Sequence, residues 1–307
     1  MSDAAADMPQ DANEVIEPIF GRVTTAMVTP FAADGSVDLD KARKLAVRLV
    51  DEQANDALIV NGTTGESPTT TDEEKAALVA AVVEAVGDRA QVVAGVGTFD
   101  THHTIALAKQ AKDAGAHGVL VVTPYYSKPP QRGVLKHFLD VADATDLPLL
   151  AYDIPHRAGV QIETKTLIAM GNHPNIVGVK DAKGDLAASS RVILESNLAY
   201  YSGDDAMTLP LLSVGGVGVV GTSTHFTGRR TKQMVEAFLA GRVEEALALH
   251  QALLPVYTGV FATQGVMLVK AGLAHQGFDV GGLRAPLPSA TAEETAAFAA
   301  ILDVADL

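Results

Sequence analysis

A chain of 307 residues, 48% of them hydrophobic, can bury the core of one large α/β domain or two small ones and is not disordered. Its net charge of -14 speaks against DNA or RNA, whose binding rests on neutralising phosphates with lysine and arginine. Without cysteine it has no disulfide or thiolate chemistry; without a long apolar run or a signal peptide's basic start it is expected in the cytoplasm, not in a membrane.

Met1 to about Pro18 is rich in Asp and Ala, has no sustained apolar period, and is expected to be a mobile arm. An alternation then begins. Val23–Val28 predicts a strand, and Asp38–Gln53 a helix with apolar residues at Leu39, Ala42, Leu45, Ala46, Leu49 and Val50. Strand Ala57–Val60 precedes helix Thr71–Val86, which opens with the capping-box pair Thr71 and Glu74. Strand Val92–Ala94 with helix Thr101–Ala114, and strand Val119–Val122 with helix Gly133–Ala144, repeat the rhythm. Strand Leu149–Tyr152 with helix Thr164–Met170, and strand Ile176–Asp181 with a helix within 185–195, continue it. Ala199–Ser202, a helix near 206–212 and Val217–Val220 complete eight strands. Parallel strands need such helical crossovers, and eight units fit a closed (β/α)8 TIM barrel over residues 19–230. Beyond it, helices over 231–240, 243–263, 268–275 and from Ala292 onward predict an all-helical C-terminal extension, 231–307.

A barrel of this kind carries its active site at the C-terminal ends of the strands. Ile176-Val177-Gly178-Val179-Lys180-Asp181 is apolar until it ends in two charges. Alternation puts Ile176, Gly178 and Lys180 on one face and Val177, Val179 and Asp181 on the other. An ammonium ending a buried strand is costly unless paired or neutral, and a neutral amine is a nucleophile able to form a Schiff base. The alternative is a lysine that simply reaches solvent. Other polar groups gather on the same predicted face. Asn61-Gly62-Thr63-Thr64-Gly65-Glu66-Ser67 can hold an anion with its backbone N–H groups and hydroxyls, or be a plain polar turn. Thr123-Pro124-Tyr125-Tyr126 brings two phenols, and Tyr152-Asp153-Ile154-Pro155-His156-Arg157 a phenol and a guanidinium. Ser202-Gly203-Asp204-Asp205 ends the seventh strand. Gly216-Val217-Gly218-Val219-Val220-Gly221 matches the dinucleotide-binding glycine pattern, but it overlaps a strand and is read as packing. No metal site is expected: His102-His103 has no companion ligands.

Five of these segments in order resemble the pyruvate-dependent class I aldolases and lyases, and among them the dihydrodipicolinate synthase family. They are Gly62–Ser67, Thr123–Tyr126, Tyr152–Arg157, Val177–Lys180 and Ser202–Asp205, and the likeness runs from about Phe20 to the C-terminus. The resemblance implies condensation of pyruvate with aspartate 4-semialdehyde to 4-hydroxy-tetrahydrodipicolinate, on the route to lysine and diaminopimelate. It implies an imine of pyruvate with Lys180 and no cofactor. Tyr152 would be the acid/base group, linked through Thr63 to Tyr126 of a neighbouring subunit in a homotetramer, a dimer of dimers. Thr64 would hold the pyruvate carboxylate, with Val220 and Gly203 also at the substrate. Arg157 would hold the carboxylate of the second substrate, which speaks against members that cleave sialic acid or keto-deoxy sugar acids. A catalytically silent, carboxylate-binding barrel is the other alternative.

Departures remain. Val220-Gly221-Thr222 stands where Ile-Ser-Val is commoner, and is expected to alter the pyruvate pocket. Gln264-Gly265-Val266 replaces an Asn-Pro-Ile type of sequence, and is expected to bear on subunit contacts more than on chemistry. Lysine-sensitive members hold the inhibitor at a subunit interface with Ser-Ala, two histidines, an asparagine and a glutamate. Those places here hold Ser67-Pro68, Asp72 and Lys75, then Phe99 and His103. The resemblance therefore implies weak inhibition by lysine or none, with Lys75 adding a like charge unless its stem turns to solvent.

Overall fold

The computed structural model describes residue 16 and residues 18–307, so the arm expected over 1–18 lies almost wholly outside the described residues. The strands are β1 Val23–Ala26, β2 Ala57–Val60, β3 Gln91–Gly95, β4 Gly118–Val122, β5 Leu149–Asp153, β6 Ile176–Asp181, β7 Ala199–Ser202 and β8 Gly218–Gly221. All pair in parallel with their sequence neighbours, and β8 closes on β1, making the (β/α)8 barrel. The helices are α1 Leu39–Val47, α2 Asp72–Val86, α3 Thr101–Asp113, α4 Gln131–Asp143, α5 Pro155–Ala158, α6 Thr164–Met170, α7 Leu186–Glu195, α8 Thr208–Leu212, α9 Thr224–Leu239, α10 Val243–Gly259, α11 Gly265–His275 and α12 Ala292–Val304. A π-helical turn, Arg48–Glu52, prolongs α1.

Side-chain chemistry sets the helix starts. Asp38, Asp100 and Asp185 each accept a backbone N–H of the first turn, and Thr71 with Glu74 forms the expected capping box. The strands separate two apolar layers. Ile59, Val93, Leu120, Leu150 and Tyr201 fill the barrel with Phe20 plugging it, while Leu58, Val92, Val121 and Tyr200 pack outward with Leu78, Phe138 and Val192 of the helices.

Two local expectations need correction, and one short helix is additional. The register between β5 and β6 shifts so that Leu149 faces Ile176 and Leu150 faces Gly178. Val177 is the extra residue of a bulge, so Ile176 joins the outer layer and Val177 packs against the interior, the reverse of simple alternation. Lys180, beyond the bulge, keeps the face shared with Gly178. Second, α9 starts at Thr224, not Thr231, and runs unbroken through the expected barrel boundary at 230/231. Its first two turns are polar but buried, at Thr224, His225, Thr227 and Thr231, which hides the helical period. The additional helix is the short α5, whose four residues carry no periodic signal.

The glycine pattern near β8 is packing, as expected. A Cβ on Gly218 would collide with the Arg22 carbonyl beside β1, so only glycine lets the barrel close there. Gly218→Ala should cost about 1–3 kcal/mol of stability through overpacking. Gly282→Ala is the control, because its added Cβ meets nothing within 4 Å. Thermal melts of the two variants check this; equal melting would refute so close an approach.

Candidate active site

Strand pairing itself sets the central contact. Tyr152 and Lys180 are register partners on β5 and β6, and Lys180 Nζ lies 4.1 Å from the Tyr152 ring centroid. Both are buried, 4% and 5% exposed, so the lysine does not simply reach solvent. Burial pulls the Lys180 amine down to about 8; the Asp205 carboxylate opposes this and the Arg157 charge adds to it. Burial lifts the Tyr152 phenol to about 12, against the Arg157 charge and a hydrogen bond with Thr63. The nitrogen sheds its proton readily while the neighbouring oxygen keeps its own. That combination suits attack on a carbonyl followed by proton delivery.

The turn expected to hold an anion follows β2. Glu66 adopts the left-handed region, with φ 55, and Thr29 Oγ1 donates to the Gly65 carbonyl at 2.6 Å. Lys270 of α11 pairs with Glu66 at 2.7 Å, fixing the turn from below. Thr64 Oγ1 faces Thr222 Oγ1 at 3.4 Å, so the departure at 222 adds a hydroxyl beside the one expected to hold a carboxylate. Val220 is buried among the interior apolar residues, and Gly203 N–H donates to the Asp181 carbonyl at 2.7 Å.

Two residues at this site carry more than sequence reasoning assigned them. Asp205, the last residue of the segment that ends the seventh strand, is buried. It accepts from the N–H groups of Thr222 at 3.0 Å and Ser223 at 3.1 Å, and from the Ser223 hydroxyl at 2.6 Å. Burial raises its carboxyl above the usual range. Gly221 was the available signal, since a Cβ there would lie 2.5 Å from Asp205 Oδ1. Gln264 is the second. Its Oε1 accepts from the Arg157 guanidinium at 3.0 Å, so this departure touches the candidate site itself.

Tyr126 is not brought to Lys180 of its own chain. It sits in the left-handed region, φ 70, with its side chain 92% exposed. A cavity of about 540 Å³ opens beside Thr63, Tyr152 and Arg157 and runs on past Ser67 and Lys75 to Phe99 and His103. Lys75 does not turn to solvent. It is buried, its Nζ donates to the Thr70 carbonyl, and burial lowers its amine from the ordinary lysine range. Asp72 is taken by His103 at 2.8 Å. Among the described residues, no three His, Cys, Asp or Glu side chains stand where they could hold a metal ion, and no helix is long and apolar enough to cross a membrane.

Fold and buried amine together define the class, a (β/α)8 barrel with a lysine amine at its catalytic face. The chain belongs to the dihydrodipicolinate synthetase family, whose sequence model matches residues 19–305. It is 62% identical to the 4-hydroxy-tetrahydrodipicolinate synthase of Cutibacterium acnes over 93% of this chain and 98% of that protein. The solved dihydrodipicolinate synthase of Cyanidioschyzon merolae with lysine bound superposes with a TM-score of 0.92 at 41% identity, over 94% of this chain and 99% of that one. A solved monomeric dihydrodipicolinate synthase variant gives 0.90 at 35% identity, over 94% and 97%.

Proposed function

We propose that this chain condenses pyruvate with L-aspartate 4-semialdehyde to 4-hydroxy-tetrahydrodipicolinate, in lysine and diaminopimelate biosynthesis, as a cytoplasmic homotetramer. The observation that carries the reading is the desolvated Lys180 amine beneath the Tyr152 ring. The neutral amine attacks the pyruvate keto carbon, and water leaves to give an imine. Loss of a methyl proton gives an enamine, whose carbon attacks the aldehyde. The substrate's own amino group then displaces Lys180 and closes the ring. No cofactor is needed, because the imine nitrogen is the electron sink. Tyr152 carries the protons, through Thr63. Thr64, with Thr222 beside it, holds the pyruvate carboxylate, and Val220 and Gly203 border that pocket. Arg157 binds the second carboxylate, a bidentate, charge-assisted contact that a sugar-acid substrate does not call for.

Reduction with borohydride in the presence of pyruvate should add mass at Lys180, and Lys180→Ala should abolish it. Because the amine titrates at about 8, the trapping rate should rise as pH increases through that value and level off above it. Arg157→Ala should keep trapping but lose turnover of the semialdehyde by roughly tenfold or more, the worth of a charged hydrogen bond. Modification elsewhere, or unchanged semialdehyde kinetics, would overturn the assignments.

Tyr126 supports the assembly as a dimer of dimers. Its phenol is 92% exposed, and Phe99, 61% exposed, packs edge-on against the neighbouring Tyr125 at 5.5 Å; so much uncovered aromatic surface supports a contact with another subunit. Mixing Tyr126→Phe with Lys180→Ala should restore part of the activity through hybrid assemblies. No recovery in mixtures shown to exchange subunits would count against it.

Free lysine should inhibit weakly or not at all. The Asp72 carboxylate is already engaged by His103, Lys75 brings a second ammonium to the cavity wall, and Phe99 offers no acceptor. An entering ammonium would be desolvated with too few acceptors. Initial rates at rising lysine, with both substrates near KM, test this, and strong saturable inhibition would refute it.

A further inference from the structure

Behind Tyr152 and Lys180 lies a buried ion pair that the reaction does not use. Asp153 follows Tyr152 on β5 and, by strand alternation, points away from that ring. Lys183 comes three residues after Lys180. Lys183 Nζ lies 3.1 Å from Asp153 Oδ2, with the side chains 7% and 0% exposed. The contact is one of charge, not an aligned hydrogen bond. The same ammonium reaches the Ile162 carbonyl at 3.4 Å, while Ile162 N–H donates to Asp153 Oδ1 at 3.1 Å. Ala182 N–H donates to the Asp153 carbonyl at 2.9 Å.

These contacts draw three points of the backbone together: the end of β5, the end of β6, and residue 162. The segment between Asp153 and Ile162 is the one that carries Arg157. We infer that the Asp153–Lys183 pair is a positioning clamp: it closes the base of the Arg157 segment and locks it to the strand bearing Lys180. This deepens the proposed function and rests on it. Neither residue lines the cavity beside Tyr152. Stability is weak grounds for keeping the pair. Burial raises the Asp153 carboxyl to about 6, and the Lys183 charge offsets only part of that cost. Buried pairs of this kind are often no more stabilising than neutral groups of the same size, which agrees with a geometric role.

The test uses Lys183→Met and the double variant Asp153→Asn/Lys183→Met in the full-length protein. Lys183→Met alone strands a buried carboxylate and should melt lower. The double variant should melt with the parent or above it. Its kcat/KM for aspartate semialdehyde should nevertheless fall roughly tenfold or more, while its KM for pyruvate and its borohydride trapping rate stay within about twofold. A double variant with parental semialdehyde kinetics overturns the clamp, as does equal loss in pyruvate trapping, which would mark a general structural defect. A parent that neither traps pyruvate nor turns over the semialdehyde overturns the functional reading, and the clamp with it. A parent that does both confines any failure to the clamp.

Discussion

Removing an ammonium from water is expensive, and the site depends on where that cost is carried. The depression of the Lys180 amine from 10.5 to about 8 corresponds to roughly 3 kcal/mol against the charged form. A close carboxylate with free lone pairs would cancel the effect by drawing the lysine into an ion pair. Asp205 is the carboxylate at hand, and its oxygens already accept from Thr222, Ser223 N–H and the Ser223 hydroxyl. Its own burial weakens its charge as well. The same aspartate therefore ties the ends of β7 and β8 together and leaves the amine free to react.

That arrangement explains which parts of the site were legible in the sequence. Strand alternation, the Thr71–Glu74 cap and the position of Lys180 follow from local rules, because each depends on neighbours a few residues away. The bulge at Val177 depends on pairing with β5, and no local pattern announces it. The early turns of α9 are polar because they are buried against other polar groups. His225, for example, accepts from Val28 N–H at 3.2 Å and donates to the Thr222 carbonyl at 2.8 Å, bridging the ends of β1 and β8. Burial holds that imidazole near 4, neutral and able to do both. A helix of this composition looks like a loop when only hydrophobic period is read. The contact of Gln264 with the site is hidden for a similar reason: its partner Arg157 is 107 residues away.

The C-terminal extension acts on the site without touching the reacting atoms. Lys270 donates to the Gly282 carbonyl at 2.6 Å as well as pairing with Glu66. Arg284 donates to both oxygens of Glu74, to the Thr69 carbonyl and to the Gly35 carbonyl, and its own N–H donates to Glu66. The turn that presents Thr63 and Thr64 is thus held from outside by residues of the extension. Glu66 in a left-handed conformation costs free energy of its own, and such a conformation persists when its surroundings over-determine it.

Two buried ion pairs, Glu66–Lys270 and Asp153–Lys183, stand behind different substrate groups. The first braces the turn carrying Thr63 and Thr64, where the pyruvate carboxylate is proposed to bind, and the second the base of the segment carrying Arg157. Neither is an economical source of stability, since apolar residues of similar volume often serve as well. What an ion pair adds is a penalty on separation: moving its partners apart inside low-dielectric surroundings leaves each charge uncompensated. A reaction that joins two carboxylate-bearing substrates at one lysine needs both anion sites held at a fixed spacing from that amine. A fully apolar brace would tolerate sliding by a fraction of an ångström, and the paired charges resist it.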